Sequence, residues 1–244
     1  MPMPSSSSAP TGLCASRTYL GRVIRDIVRK IDGDPGLETV FAHLLSLARR
    51  VHAQERGQRG PKVYSLHAPE VECIGKGKAH KPYEFGVKVS VATTLKHSKG
   101  GQFVTHVQAL PGNPYDGHTL AGVIPAIEQL IGNTIERLHA DAGYCGHNAP
   151  PEYKFKIYTS KQKPRVTPQI KREMRRRSAV EPVIGHLKNE HRMDRNYLAG
   201  RHGDANNAIL AAVGYNFRRL IRWLRILLRL FLAVLFAPAN PLPA

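Results

Sequence analysis

Two short stretches of the chain place carboxylates where they could do chemistry. In "HADAGYCGHN", residues 139–148, Asp141 follows an apolar stretch and precedes a glycine turn. In "RRRSAVEPVIGHLK", residues 175–188, Glu181 lies four positions after Arg177 and seven before Lys188. On a continuous helix these three share one face, while Val180, Val183, Ile184 and Leu187 occupy another. One side can then enter a core while a carboxylate flanked by two cations looks into a cleft. Flanking cations favour the charged form of a carboxylate, and the same cations can grip phosphates on either side of a metal that the carboxylate binds. That geometry suits phosphodiester chemistry. Each stretch also has a plainer reading. An Asp before "AGY" can simply shape a turn, whereas at the rigid end of a strand it can hold a divalent ion. Ser178-x-x-Glu181 is a capping-box pattern and Pro182 is awkward inside a helix, so a helix starting at Ser178 would take Arg177 off the shared face.

Other motifs point less sharply. "GKGKAHK", residues 75–81, is basic and glycine-rich but lacks the spacing of a phosphate-cradling loop, which leaves it backbone contacts at most. The spacings of His139, His147, His186 and His191 match no common zinc pattern. Cys14, Cys73 and Cys145 are widely separated and form no C-x-x-C pair, so neither a disulfide framework nor a structural zinc site is suggested, and a reducing cytoplasm fits.

The elements that must position these residues fall in a recognisable order. Residues 17–31 carry Leu20, Val23, Ile24, Ile27, Val28 and Ile31 at helical spacing, with Arg22, Arg25, Arg29 and Lys30 on other faces. After "DGDP" a second helix, 37–54, completes a basic helical hairpin over 17–60. "KVYSL" at 62–66, "YEFGVKVSVATT" at 83–94 and "QFVTHVQAL" at 102–110 read as strands. A helix over 118–133, a short strand running into Asp141, a strand candidate at 153–160 and a strongly basic helix beginning near Gln169 follow. Strands, helix, strands and helices in this order predict a mixed α/β sheet with flanking helices over 61–215. The segment 216–244 reads as a basic amphipathic helix and tail. Its apolar run, 226–237, is broken by Arg229 and falls short of the roughly twenty apolar residues of a membrane span, so a buried or partner-binding helix is expected. Residues 1–16 lack the basic start and long apolar run of a signal peptide and read as a disordered leader.

Lys and Arg number 36 against 18 Asp and Glu, a formal charge of +18. A balance so basic favours a polyanion, because each neutralised phosphate releases counterions. The basic stretches that would meet a nucleic-acid backbone are Arg22, Arg25, Arg29 and Lys30 in the first helix and Lys171, Arg172, Arg175 and Arg176 in the later one. Aromatic residues are few, which argues against an RNA-stacking module.

"HADAGYCGHN" resembles the segment around the second acidic residue of bacterial insertion-sequence transposases of the DDE type, and "RRRSAVEPVIGHLK" resembles their third-acid segment. Arg177, Glu181 and Lys188 match the last three members of that family's signature of Tyr, Arg, Glu and Lys. "KVYSLHAPEVECIGKGKAHKPYEFGVKVSVATT", "ALPGNPYDGHTL" and "GDANNAILAAVGYNFRRLIRWL" are similar to the insertion-sequence-five family in particular, and the resemblance runs over residues 17 to 230. Met174 stands where the signature has Tyr, and Ala142 where Lys commonly follows the aspartate. The family's first acidic residue, in an apolar-apolar-Asp strand, has no counterpart upstream of Pro61, so the chain reads as a C-terminal fragment. The resemblance implies an incomplete ribonuclease-H-like core and Asp141 and Glu181 as ligands of Mg²⁺ or Mn²⁺. Arg177 and Lys188 would act as phosphate clamps, with double-stranded DNA, both element ends and target, as the partner. It further implies self-association or pairing with full-length transposase, a cytoplasmic, nucleoid-associated location, and catalysis impaired by the missing carboxylate. A catalytically dead DNA-binding remnant or regulator is the competing expectation.

Overall fold

The computed structural model describes residues 11–55, 57–76, 79–80, 82–96, 101–160, 162 and 164–236. The chain folds as two compact units, Met1–Gly86 and Val87–Ala244. The break falls at Gly86, whereas the sequence groups everything after residue 60 with the later strands.

In the first unit, α1 (Thr11–Ile31) and α2 (Pro35–Ala53) pack against each other. Asp34 caps α2, its side chain accepting hydrogen bonds from the amides of Gly36 and Leu37, and Pro35 takes the first helical position, where a missing N–H costs nothing. Ile24, Ile31 and Leu45 are buried between the helices, with Leu20, Ile27, Val28 and Phe41 packed around them. Val23, counted with the apolar face on spacing, is exposed. Arg22, Arg25, Arg29 and Lys30 are exposed, and the last two pair with Asp26 at 3.3 and 3.1 Å. The helix begins at Thr11, six residues ahead of the periodicity, so the leader's last residues are helical; residues 1–10 lie outside those described. β1 (Glu72–Gly75) and β2 (Tyr83–Gly86) form an antiparallel pair. The segment 62–66 makes no strand. The Gln54 side chain bonds both the N–H and the C=O of Val63, giving these groups the partners a strand neighbour would have supplied. The basic segment 75–81 lies partly outside the described residues.

In the second unit, β3 (Lys88–Thr93) pairs antiparallel with β4 (Val104–Leu110). A 3₁₀ turn over Asp116–Thr119 leads into α3 (Leu120–Ile131), which ends at Gly132 in the left-handed conformation, φ 68°. β5 (Leu138–Ala140) runs parallel to β6 (Ile157–Thr159), and α4 (Pro168–Arg177), α5 (Val180–Asn189) and α6 (Gly200–Leu235) follow. The class is mixed α/β, as expected, but the described strands pair two by two instead of joining in one mixed sheet. One edge is closed by a side chain: Asn216 of α6 accepts from the Val104 amide at 2.9 Å and donates to its carbonyl at 2.8 Å, imitating a strand neighbour. Val104, Val183, Leu187, Ala211, Ala212 and Tyr215 form one core; Leu120, Ile124, Tyr153 and Ile157 form another.

α6 runs through position 216 without a break. Its 36 residues extend roughly 54 Å. Ala208, Ala211, Ala212 and Tyr215 are buried, whereas Phe217, Leu220, Ile221, Leu224, Leu228 and Phe231 are exposed, so of the two alternatives, buried or partner-binding, this stretch is not buried within the chain. Among the described residues no helix is long and apolar enough to cross a membrane.

Candidate carboxylate–arginine site

Asp141 leaves β5 at its carboxyl end and caps a 3₁₀ turn over Ala142–Tyr144, one carboxylate oxygen accepting from the Ala142 amide at 2.7 Å. The turn-forming role is therefore real. It does not consume the group, whose side chain stays 67% exposed.

The second stretch settles between the two helical readings. α4 stops at Arg177 and α5 starts at Val180, yet Ser178 and Ala179 both keep right-handed helical dihedrals, φ −58° and −68°. The capping box is not made: the Ser178 hydroxyl donates back to the Arg175 carbonyl at 2.8 Å, and α5 has no side-chain cap. Pro182 falls in the first turn of α5, where it is tolerated, and Glu181 lies at the same positive helix end, which favours a carboxylate. Arg177 and Glu181 thus remain one turn apart. The Arg177 guanidinium is 4.0 Å from the Asp141 carboxylate and 4.0 Å from that of Glu181, so it bridges the two residues singled out from sequence. Lys188 is half-buried and lies seven residues on, roughly 10 Å further along the axis of α5. Lys171, Arg172, Arg175 and Arg176 are all exposed on α4.

What holds α4 in place was not picked out from sequence. Glu173 accepts two hydrogen bonds from Arg137, at 3.0 and 3.2 Å, one from Gln169 at 3.2 Å, and pairs with His139 at 3.0 Å. The spacing contains the signal. Arg137, His139 and Asp141 alternate along the strand and share a face; Gln169, Glu173 and Arg177 recur every four residues along the helix and share another. Two strand residues advance about 6.7 Å and four helical residues about 6 Å, so the two series stay in step. Arg137 and His139 meet Glu173, and one period later Asp141 meets Arg177.

Burial is the largest single influence on the Glu173 carboxyl and pushes its pKa up. The hydrogen bonds from Arg137, His139 and Gln169 together outweigh it, and the net shift is downward from 4.5. A carboxyl depressed on folding adds stability that is present above its unfolded value and lost as pH falls through the folded one. Glu173→Gln is accordingly expected to cost about 1–2 kcal/mol at pH 7, discounted because Arg137 is one-third exposed. Urea titrations should show this difference fading once the pH drops below 4.5.

Asp116, at the start of the 3₁₀ turn before α3, lies close to the turn that follows Asp141. It accepts a hydrogen bond from Lys88 at 2.9 Å, and its second carboxylate oxygen packs so close to Gly143 that a Cβ there would come within 2.7 Å. Tyr144 registers both carboxylates: burial first, then the charge of Asp116 and more weakly that of Asp141, push its phenol pKa up against hydrogen bonds from Thr119 and Ser90. Among the described residues, no group of three His, Cys, Asp or Glu side chains is arranged to hold a metal.

Residues 145–221 match the family model of the transposase DDE domain. The match takes in Arg177, Glu181 and Lys188 and begins just after Asp141. It spans about a third of the chain and supports a DDE-type transposase. No curated protein and no solved structure matches the chain.

Proposed function

We propose that this chain is a DNA transposition protein of the insertion-sequence-five type, with a ribonuclease-H-like core. It binds double-stranded DNA at element ends and target through its basic helices. The observation that carries the reading is the Arg177 guanidinium standing 4.0 Å from both Asp141 and Glu181, two carboxylates of separate elements brought together beside exposed cations. The family match over 145–221 supports it independently.

A transposase DDE domain implies dependence on divalent metal. The donor set fits: side chains 67% and 71% exposed offer hard carboxylate oxygens, and Mg²⁺ or Mn²⁺ is commonly held by one or two carboxylates with retained waters. The chemistry supplied by such ions when bound is charge stabilisation at phosphoryl oxygens and activation of an oxygen nucleophile. Asp141 and Glu181 would hold them. Arg177 and Lys188 grip phosphate oxygens by charge-assisted hydrogen bonds and set the phosphodiester against the carboxylates. Arg22, Arg25, Arg29, Lys30, Lys171, Arg172, Arg175 and Arg176 fix the register of the duplex without reading its sequence. Hydrolysis of the phosphodiester frees a 3′-hydroxyl, and attack of that hydroxyl on a target phosphodiester joins the strands.

One observation favours a second reading, a catalytically inactive DNA-binding regulator that pairs with full-length transposase in the nucleoid. Arg177 already places a cation between the two carboxylates, where it competes with a metal for the same charge. Nicking of supercoiled DNA by the purified chain in Mn²⁺ separates the two. Nicking lost in both Asp141→Ala and Glu181→Ala establishes the catalytic reading, and duplex binding without nicking establishes the regulatory one.

A further inference from the structure

A cavity of about 670 Å³ opens beside the strand that carries Asp141, between the β5–β6 pair and α4. One wall is aromatic. His139 and Tyr158 are register partners on the parallel strands, and their rings stack at 5.5 Å with 21° between planes. Met174 supplies an apolar surface from α4, and Lys171, Arg175 and Arg177 supply positive charge. The His139 ring is only 3% exposed and is held by Glu173 through Nε2, while its Nδ1 is buried with no hydrogen-bond partner. Ser160 and Gln162 add polar groups at the wall, both already fixed by backbone contacts to Ala140 and Pro164.

A flat aromatic wall, an apolar surface and clustered cations match the two halves of a nucleotide. The base has a π-face that stacks on any aromatic ring, and the phosphate is an anion for Lys and Arg. The volume lies in the usual range for small-ligand sites. A paired base in a duplex hides its faces in the stack, so only a base out of the stack can enter. We infer that this cavity binds a single unpaired nucleotide unit, its base against the Tyr158 ring that His139 backs from behind and its phosphate on Lys171, Arg175 and Arg177. The unit is either a free nucleoside monophosphate or a residue turned out of a DNA strand. The inference rests on the DNA-binding reading above and adds a contact that duplex binding does not need. Arg177 serves both sites, which sets the bound phosphate next to Asp141 and Glu181.

The test compares the full chain on a matched duplex, on the same duplex carrying one unpaired adenine, and with deoxyadenosine monophosphate as competitor. The bulged duplex is expected to bind about tenfold more tightly than the matched one, the size of one base–aromatic stack. Tyr158→Ala should abolish that ratio and leave matched-duplex affinity unchanged, and Tyr158→Phe should preserve it. If circular dichroism shows Tyr158→Ala unfolded, Met174→Gln makes the same measurement from the opposite wall. Competition by the monophosphate at the bulged duplex alone identifies the free nucleotide as a ligand too; a preserved ratio without competition assigns the site to strand-borne nucleotides. Equal affinity for bulged and matched duplex overturns the inference and leaves duplex binding standing. Failure to bind either duplex overturns the DNA-binding reading and this inference with it.

Discussion

Replacing Lys171, Arg172, Arg175 and Arg176 together with Gln is expected to lower affinity for duplex DNA about 10³-fold at 0.1 M salt. Each phosphate contact releases close to 0.9 of a counterion, so between 0.1 M and 1 M salt four contacts account for about three and a half decades of binding. The four side chains are exposed on one short helix, which leaves them nothing structural to do that a neutral amide cannot. The loss should be uniform across DNA sequences, because phosphate contacts position a duplex without reading it. Fluorescence anisotropy over a salt series checks both the affinity and the slope, which should flatten by about 3.6. An unchanged slope would place the DNA elsewhere, with α1 the next basic surface.

Leu187→Ala is expected to destabilise the second unit by about 2–5 kcal/mol. Leu187 is fully buried, packed with Val183 of its own helix, Val104 of β4, and Ala211, Ala212 and Tyr215 of α6. Small residues already line the α6 side of that core, so little is available to collapse into the space left behind. The consequence reaches the site, because the same helix carries Glu181 at its other end. Urea denaturation followed by far-ultraviolet circular dichroism measures the loss. Leu187→Met, which keeps the volume, should cost less than about 1.5 kcal/mol.

Much of this site can be read from residue spacing, and what cannot has physical reasons. The strand-end position of Asp141 follows from an apolar run meeting a glycine turn. The proximity of Arg177 to Glu181 follows from their four-residue separation. The fate of Ser178 could not be decided from its neighbours, since the pattern that signals a capping box also fits a helix that continues past it. The hydroxyl's choice of the Arg175 carbonyl settled that. Glu173 stayed hidden because His139 and Arg137 lie 34 and 36 residues away and become its neighbours only when β5 and α4 lie side by side. Strand pairing was likewise out of reach of local pattern: the Val104 edge is completed by a side chain 112 residues further on. The end of the chain stayed open between burial and partner binding for a different reason, since amphipathic spacing marks an apolar face without saying whether the fold covers it, and here the large apolar side chains from Phe217 to Phe236 stand exposed.

Asp141 and Glu181 are proposed to form one carboxylate pair that holds a divalent ion, with Arg177 between them. Mn²⁺ titration of the DNA-bound chain, followed by electron paramagnetic resonance, tests it most directly and needs no catalytic turnover. A site whose affinity falls by more than about tenfold in Asp141→Asn and in Glu181→Gln alike, and rises in Arg177→Gln as a competing cation is removed, is the result expected. Mn²⁺ binding that is the same in both carboxylate variants as in the unaltered chain would contradict the claim.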